Sequence, residues 1–325
     1  MASRSKESQL KNIGFIGLGL MGIPLCKRLL EAGFNLHVWN RTPNKAQALV
    51  DQGAQLLASP QQLVQACEVV CLCLTDTQAV EEVLLQGPQP LIGQLQPGQI
   101  ILDFSSIAPA ATQGLAALVA QKGAQWIDAP VSGGVQGAEQ GQLAIMCGGE
   151  ASTLDKVRPL LTPLARQITH LGPAGSGQIA KVCNQMLVTC QAAAIAEVMA
   201  LAQQAGIDAA LLPVAFRGGF ADSLPLQLLA PRMAAQDFSQ PKWTLATLLK
   251  DLNLSADCAQ QLGQATPMSR QAAELIRLQG LQSGLQVDPA QLVELFQSAP
   301  AFNRSFDSSL DPTSKPQAQQ QGEQS

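Results

Sequence analysis

The stretch Asn12-Ile13-Gly14-Phe15-Ile16-Gly17-Leu18-Gly19-Leu20-Met21-Gly22 decides the fold. Residues 12–16 read as a buried strand, and residues 20–32 carry apolar positions at helical spacing. Between them, Gly17 permits a tight turn, Gly19 lets the backbone approach a ligand, and Gly22 lets the helix pack closely on the strand. The N–H groups that open the helix point at the turn and make it an anion cradle. A Gly-x-Gly-x-x-Gly run alone is a weak signal. Here it follows a strand, opens a helix and leads to a second strand ending at Trp39, which is the context of a dinucleotide site formed by Gly17, Leu18, Gly19, Leu20, Met21 and Gly22.

Outward from this unit the alternation continues. Strands are predicted at 12–16, 35–39, 68–74, 99–104, 125–129, 143–148 and 167–171, and helices at 20–32, 43–52, 60–66, 77–85, 109–122 and 151–164. That rhythm implies an α/β Rossmann-type, doubly wound parallel sheet. Near Gly172-Pro173 the pattern changes to helices only, beginning with one from Gly175 to Ala205 that is apolar nearly all round and is therefore expected to be buried, in part against a partner subunit. The expected organisation is a flexible lead-in (1–11), a dinucleotide-binding domain (12–172), an all-α domain for substrate and dimerisation (173–310) and a disordered Pro/Gln/Ser tail (311–325).

Composition narrows the chemistry. The 325 residues carry 20 Lys+Arg against 24 Asp+Glu, and aromatics make up 4%, which argues against a nucleic-acid partner. There is no tyrosine, so every mechanism with a Tyr proton donor is excluded. The two histidines, His37 and His170, are far apart and outside any ligand-spaced cluster; both read as satisfied structural residues, and no metal site is expected. Eight cysteines without a Cys-x-x-Cys read as reduced core thiols of a cytoplasmic protein. The polar N-terminus has no signal-peptide pattern, and Lys181, Asn184, Gln191 and Glu197 make 179–202 a buried helix in preference to a membrane span.

The second strand ends in Asn40-Arg41-Thr42, where NAD sites usually place a carboxylate for the ribose hydroxyls. Asn40 has no charge to repel a 2′-phosphate, Arg41 can pair with one, and Thr42 can donate to it. NADP(H) is preferred on this reading, with NAD(H) left open.

The chain also resembles the β-hydroxyacid dehydrogenase family, which includes 3-hydroxyisobutyrate dehydrogenase and tartronate semialdehyde reductase. The resemblance spans roughly 12–300. It rests on Gly14–Gly22, Asp103-Phe104-Ser105-Ser106-Ile107-Ala108-Pro109, Asp128-Ala129-Pro130-Val131-Ser132-Gly133-Gly134, Gly175-Ser176-Gly177-Gln178-Ile179-Ala180-Lys181-Val182-Cys183-Asn184-Gln185 and Lys250-Asp251-Leu252, in the family's order. Arg217-Gly218-Gly219-Phe220-Ala221-Asp222-Ser223 looks most like the tartronate semialdehyde reductase branch. The resemblance implies that Lys181 is catalytic and that Asn184 orients the substrate oxygen, with Gln185, where some members have a second Asn, as a further substrate-binding residue in reserve for that role. It also implies that Ser106, Lys250 and the pair Leu74-Thr75 line the cofactor, although Thr75 replaces the family's usual Pro. Physical chemistry agrees on Lys181: an alkoxide left by hydride transfer needs a proton donor, and a lysine on an apolar helix has its pKa lowered toward a useful range. Ser132, Gly133 and Gly134 follow a strand end and offer a hydroxyl and free N–H groups as a carboxylate cradle.

The expected activity is NADP(H)-dependent interconversion of a short β-hydroxy acid and its semialdehyde, foremost tartronate semialdehyde to glycerate, by a homodimer or homotetramer. Alternatives are 3-hydroxyisobutyrate, 4-hydroxybutyrate/succinate semialdehyde or serine dehydrogenase, and a non-catalytic nucleotide-binding scaffold. Lys181 counts against the scaffold and against an imine reductase. A 6-phosphogluconate dehydrogenase relative would be longer and carry His where this chain has Cys183.

Overall fold

The structure, a computed structural model, describes residues 10–86, 90–239, 241 and 243–297. Apart from Leu10 and Lys11, the expected lead-in and the whole of the expected tail lie outside the described residues.

The first half alternates strands and helices. In order they are β1 (Asn12–Ile16), α1 (Gly22–Glu31), β2 (Asn35–Trp39), α2 (Gln47–Val50), β3 (Gln55–Leu56), α3 (Pro60–Ala66), β4 (Val69–Leu72), α4 (Thr77–Leu85), β5 (Ile100–Asp103), α5 (Pro109–Ala120) and β6 (Gln125–Asp128). There follow β7 (Val131–Ser132), α6 (Gly134–Glu139), β8 (Leu143–Gly149), α7 (Ala151–Leu161) and β9 (Ala165–Gly172). The starts at Pro60 and Thr77 coincide with the predicted ones because Ser59 and Asp76 cap those helices, Ser59 Oγ accepting from the Gln62 N–H at 3.3 Å and Asp76 Oδ1 from the Ala79 N–H at 2.9 Å.

The sheet runs β3-β2-β1-β4-β5-β6-β8-β7, with β9 paired to β8. Strand order reverses between β1 and β4, the switch point at whose carboxyl ends doubly wound sheets bind ligands. The period of two along each strand divides its apolar run between two cores. Ile13, Phe15, Val69, Cys71, Ile100 and Leu102 join α1 on one face, whereas Ile16, Val70, Leu72 and Ile101 join α3, α4 and α5 on the other. Each fully buried Leu or Ile contributes about 1.5–3 kcal/mol, so central strands covered on both faces are where this stabilisation concentrates.

The sheet is dominated by parallel pairings, as expected of a doubly wound fold, with antiparallel pairing at β8. From β3 through β6 every pairing is parallel, but β8 runs antiparallel to both β6 and β7. The cause is the connection: after β6 the chain turns at once into β7 and then into α6, whose six residues are too short to carry it back across the sheet. The two-residue strands β3 and β7 escaped the sequence reading, being too short to show a period.

Beyond β9 come α8 (Ser176–Gln204), α9 (Leu212–Ala215), α10 (Leu224–Ala235), α11 (Leu245–Gln261), α12 (Pro267–Ser283) and α13 (Val293–Gln297), with no further strand among the described residues. Packing separates two compact units. Among the described residues, one joins the sheet to the chain through Leu187 and to Lys250–Ser269; the other holds Val188–Leu249 and Arg270–Gln297. In the second unit the Arg232 guanidinium meets the buried Asp288 carboxylate at 2.6 Å.

Within the single chain α8 is covered on all sides but one: Ile179, Cys183, Leu187, Ala194, Val198 and Leu201 are exposed along one face. It is also the one described helix long and apolar enough, by length and composition, to cross a membrane. All eight cysteines are free thiols, but Cys183 is exposed, not in the core. His170 Nε2 bonds the Gly149 carbonyl at 2.8 Å, whereas buried His37 Nδ1 has no partner among the described residues.

Candidate active site

The turn after β1 is held from the ends of both neighbouring strands, β2 and β4. The Gly17 N–H donates to the Trp39 carbonyl at 3.3 Å, and the Cys73 N–H donates to the Ile16 carbonyl at 2.9 Å. Gly17 has φ +104°, and a Cβ there would lie 2.3 Å from the Cys73 carbonyl oxygen. At Gly22 a Cβ would lie 1.9 Å from the Gly17 carbonyl oxygen, so α1 starts against the turn only as glycine. Gly19 differs: nothing stands within 4 Å of its Cβ position. Crowded glycines on the protein side and an open one outside are what a pyrophosphate cradle requires, and the residues present fit a dinucleotide. Leu18 is buried, while Leu20 is 81% exposed beside the turn and leaves its apolar surface free for a ligand.

Asn40 closes the turn from β2. Its Oδ1 accepts from the Leu18 N–H at 3.0 Å, and its Nδ2 donates to the Thr42 carbonyl at 2.9 Å. The neutral amide thus couples the glycine turn to the segment bearing Arg41 and Thr42, both exposed.

Below the switch point runs a buried network. The Leu74 N–H donates to Ser105 Oγ at 2.9 Å, and the Ser105 N–H to Asp103 Oδ1 at 2.9 Å. Gln178 of α8 donates to the Ser105 carbonyl at 2.8 Å and accepts from the Ile107 N–H at 3.2 Å, so Ser106 lies between two residues pinned by one side chain. Asp128, at the end of β6, accepts from the Gly175 N–H at 2.8 Å and the Gln178 N–H at 3.0 Å, seating the start of α8 on the sheet. Close seating requires glycine, since a Cβ at Gly177 would lie 2.4 Å from the Met146 carbonyl oxygen. Burial pushes the Asp103 carboxyl up to about 7 and raises Asp128 also.

That seat sets the position of Lys181 on the first turns of α8. Its Nζ donates to Gln185 Oε1 at 2.9 Å, and Asn184 Nδ2 donates to the same oxygen at 2.8 Å. Gln185 Nε2 in turn donates to Asp251 Oδ2. The other Asp251 oxygen lies 3.2 Å from Lys250 Nζ, which also donates to the Thr75 carbonyl at 3.4 Å. Burial pulls the Lys181 ammonium down to about 8; the Asp251 charge opposes this and Lys250 adds to it. A lysine near 8 can both give and take a proton at neutral pH.

Helical spacing therefore brings Lys181, Asn184 and Gln185 together, and Lys250 and Thr75 join them through Asp251. Ser132, Gly133 and Gly134 make no hydrogen bond to this cluster among the described residues. Gly133 and Gly134 have φ +131° and +64° and are exposed, which leaves their N–H groups open to an acceptor. Sequence reading named no role for Asp103, Ser105, Asp128, Gln178 or Asp251, although all five lie in the motifs it quoted. Polar residues within otherwise apolar motifs were the signal.

Two family models match the chain. That for the NAD binding domain of 6-phosphogluconate dehydrogenase covers residues 12–172, and that for the NAD-binding of NADP-dependent 3-hydroxyisobutyrate dehydrogenase covers 175–296. The chain is 37% identical over 282 residues to 2-hydroxy-3-oxopropionate reductase of Escherichia coli, covering 87% of this chain and 96% of that one. The chain belongs to the 3-hydroxyisobutyrate dehydrogenase family. It is likewise 37% identical over 276 residues to NAD-dependent L-serine dehydrogenase of Pseudomonas aeruginosa, covering 83% and 92% of the two chains. Among solved structures it is similar to Mycobacterium tuberculosis 3-hydroxyisobutyrate dehydrogenase with L-serine, at TM-score 0.80 and 30% identity, covering 89% of this chain and all of that one. As a member of this dehydrogenase family the protein is an NAD(P)-dependent oxidoreductase acting on a hydroxyl group.

Proposed function

We propose that the protein interconverts a short β-hydroxy acid and its semialdehyde with NADP(H) preferred, and that tartronate semialdehyde and glycerate are its substrate pair. The observation that carries this reading is Lys181, its ammonium lowered to about 8 and hydrogen-bonded beside Asn184, on a helix seated by Asp128 at the dinucleotide sheet. The match to 2-hydroxy-3-oxopropionate reductase supports the choice of substrate.

In this reading the cofactor, when bound at the Gly17–Gly22 turn, supplies the hydride in reduction and takes it up in oxidation. Ser132 Oγ and the N–H groups of Gly133 and Gly134 hold the substrate carboxylate. Asn184 orients the carbonyl oxygen, and Lys181 Nζ gives it a proton as negative charge develops there. Arg41 and Thr42 receive the 2′-phosphate, with Leu74, Thr75, Ser106 and Lys250 along the rest of the cofactor.

A second reading, oxidation of L-serine, is favoured by the equal identity to the serine dehydrogenase. The protein is further proposed to be a homo-oligomer, because the exposed apolar face of α8 suits a second copy, and to be cytoplasmic, a reading its free thiols support. The deciding experiment follows NADPH consumption with tartronate, methylmalonate and succinate semialdehydes, and NAD(P)+ reduction with L-serine and glycerate. Tartronate semialdehyde is expected to give the highest kcat/KM. Preference for serine moves the assignment to the second reading, and turnover of none overturns both.

A further inference from the structure

We propose that Asp251, acting through Gln185, is the positioning residue that fixes the Lys181 ammonium and the Asn184 amide at the reacting oxygen. This rests on the reading of Lys181 as proton donor. Asp251 is a 5% exposed carboxylate on α11, lying between Gln185 Nε2 and Lys250 Nζ. An ionised carboxylate only accepts hydrogen bonds, so it must face the NH2 end of the Gln185 amide. That leaves the Gln185 oxygen no choice of direction. It faces α8's polar edge, where it collects Lys181 Nζ at 2.9 Å and Asn184 Nδ2 at 2.8 Å. A free glutamine could present either end of its amide to the lysine, and its NH2 end would push the ammonium away. Asp251 thus decides which end is presented, from 66 residues away in sequence.

The carboxylate also acts through space. The charged groups that act on Lys181 are Asp251, which holds its pKa up, and Lys250, which lowers it, both from α11. Lys250 bridges Asp251 to the Thr75 carbonyl just beyond β4, so the chain of contacts ends at the expected cofactor lining. Glutamine does not relay protons readily, and the roles assigned to Gln185 and Asp251 are orientation and charge.

The test compares the wild-type chain with Asp251→Asn, Asp251→Glu and Gln185→Leu. Its main readout needs no substrate: the pH dependence of Lys181 acylation by acetic anhydride, followed by peptide mass spectrometry. Wild type should show a midpoint near 8. Asp251→Asn keeps an acceptor but removes the charge, and the midpoint should fall by about one unit, the lower end of the range for a nearby opposite charge. Asp251→Glu should restore it. The alkaline limb of kcat for semialdehyde reduction should move with the midpoint. Gln185→Leu breaks the path with the charge in place, and should lower kcat about tenfold or more with cofactor affinity unchanged; it also serves if Asp251→Asn does not fold. An unmoved acylation midpoint in Asp251→Asn, or full kcat in Gln185→Leu, overturns the proposal. A shifted midpoint in an enzyme that turns over no semialdehyde supports it, and removes only the substrate reading.

Discussion

At the scale of single residues, Lys181 has two consequences that pull in opposite directions. In the proposed mechanism its ammonium protonates the product oxygen, so Lys181→Met should lower kcat by about 10²–10⁴, the usual cost of losing a general acid. Cofactor affinity, read by nucleotide fluorescence titration, should survive. Stability should move the other way. The folded-state pKa of about 8 lies below the usual 10.5, so between those values the unfolded chain binds more protons, and stability rises with pH across that window. Below it the charged lysine costs stability. Lys181→Met should therefore raise the melting temperature at pH 7 by a few degrees, at about 2–4 °C per kcal/mol for a protein unit of this size. A melting temperature that falls would show that the lysine is not under strain. Arg41 is simpler, being exposed and joined to the glycine turn through its neighbour Asn40. A charge-assisted hydrogen bond contributes about 1.5–3 kcal/mol, so Arg41→Ala should weaken NADP+ binding about ten- to a hundredfold and leave NAD+ binding nearly unchanged. Isothermal titration with both nucleotides checks this, and equal losses for the two would mean that Arg41 contacts their shared adenine.

At the scale of elements, α8 does two jobs along its 29 residues. Its start is seated by Asp128 and carries Lys181, Asn184 and Gln185, while further along Leu187, Val198 and Leu201 stand 65%, 41% and 71% exposed on one face. Burying one such leucine in a symmetric contact contributes about 1.5–3 kcal/mol from each copy. Leu201→Glu should therefore weaken self-association at least a hundredfold, read by sedimentation velocity across a concentration series. A wild-type protein that sediments as a monomer at micromolar concentration removes the expectation. The sheet shows the complementary case. β5 and β6 end in Asp103 and Asp128, adjacent in register, and only Asp128 has both oxygens in use; Asp103 Oδ2 has no partner among the described residues. These two carboxylates are kept where they orient backbone N–H groups around the candidate site.

At the scale of the whole molecule, the buried Asp103 makes unfolding depend on pH. Its folded-state pKa of about 7 exceeds the usual 3.8, so the native state holds the extra proton between those values. Its contribution is fully present below pH 3.8 and is lost as pH rises through 7. Asp103→Asn keeps an acceptor for the Ser105 N–H and removes the charge. It should raise the melting temperature more at pH 8 than at pH 5, and an equal change at both would contradict the raised pKa. What was legible along the chain lies within single elements, and what was not lies between them. Local spacing determined the elements: glycines at 17, 19 and 22 between an apolar strand and an amphipathic helix, and the change after Gly172 to helices alone among the described residues. It also determined that Lys181, Asn184 and Gln185 share one helical face, because 3.6 residues per turn puts i, i+3 and i+4 together. Tertiary structure alone decided that β8 turns antiparallel, that one face of α8 is left uncovered, and that Gln185 reaches Asp251 across 66 residues and Asp128 reaches Gly175 across 47. The reason is physical: periodicity records which residues face the same way within one element, but a hydrogen bond between elements depends on where packing brings their ends.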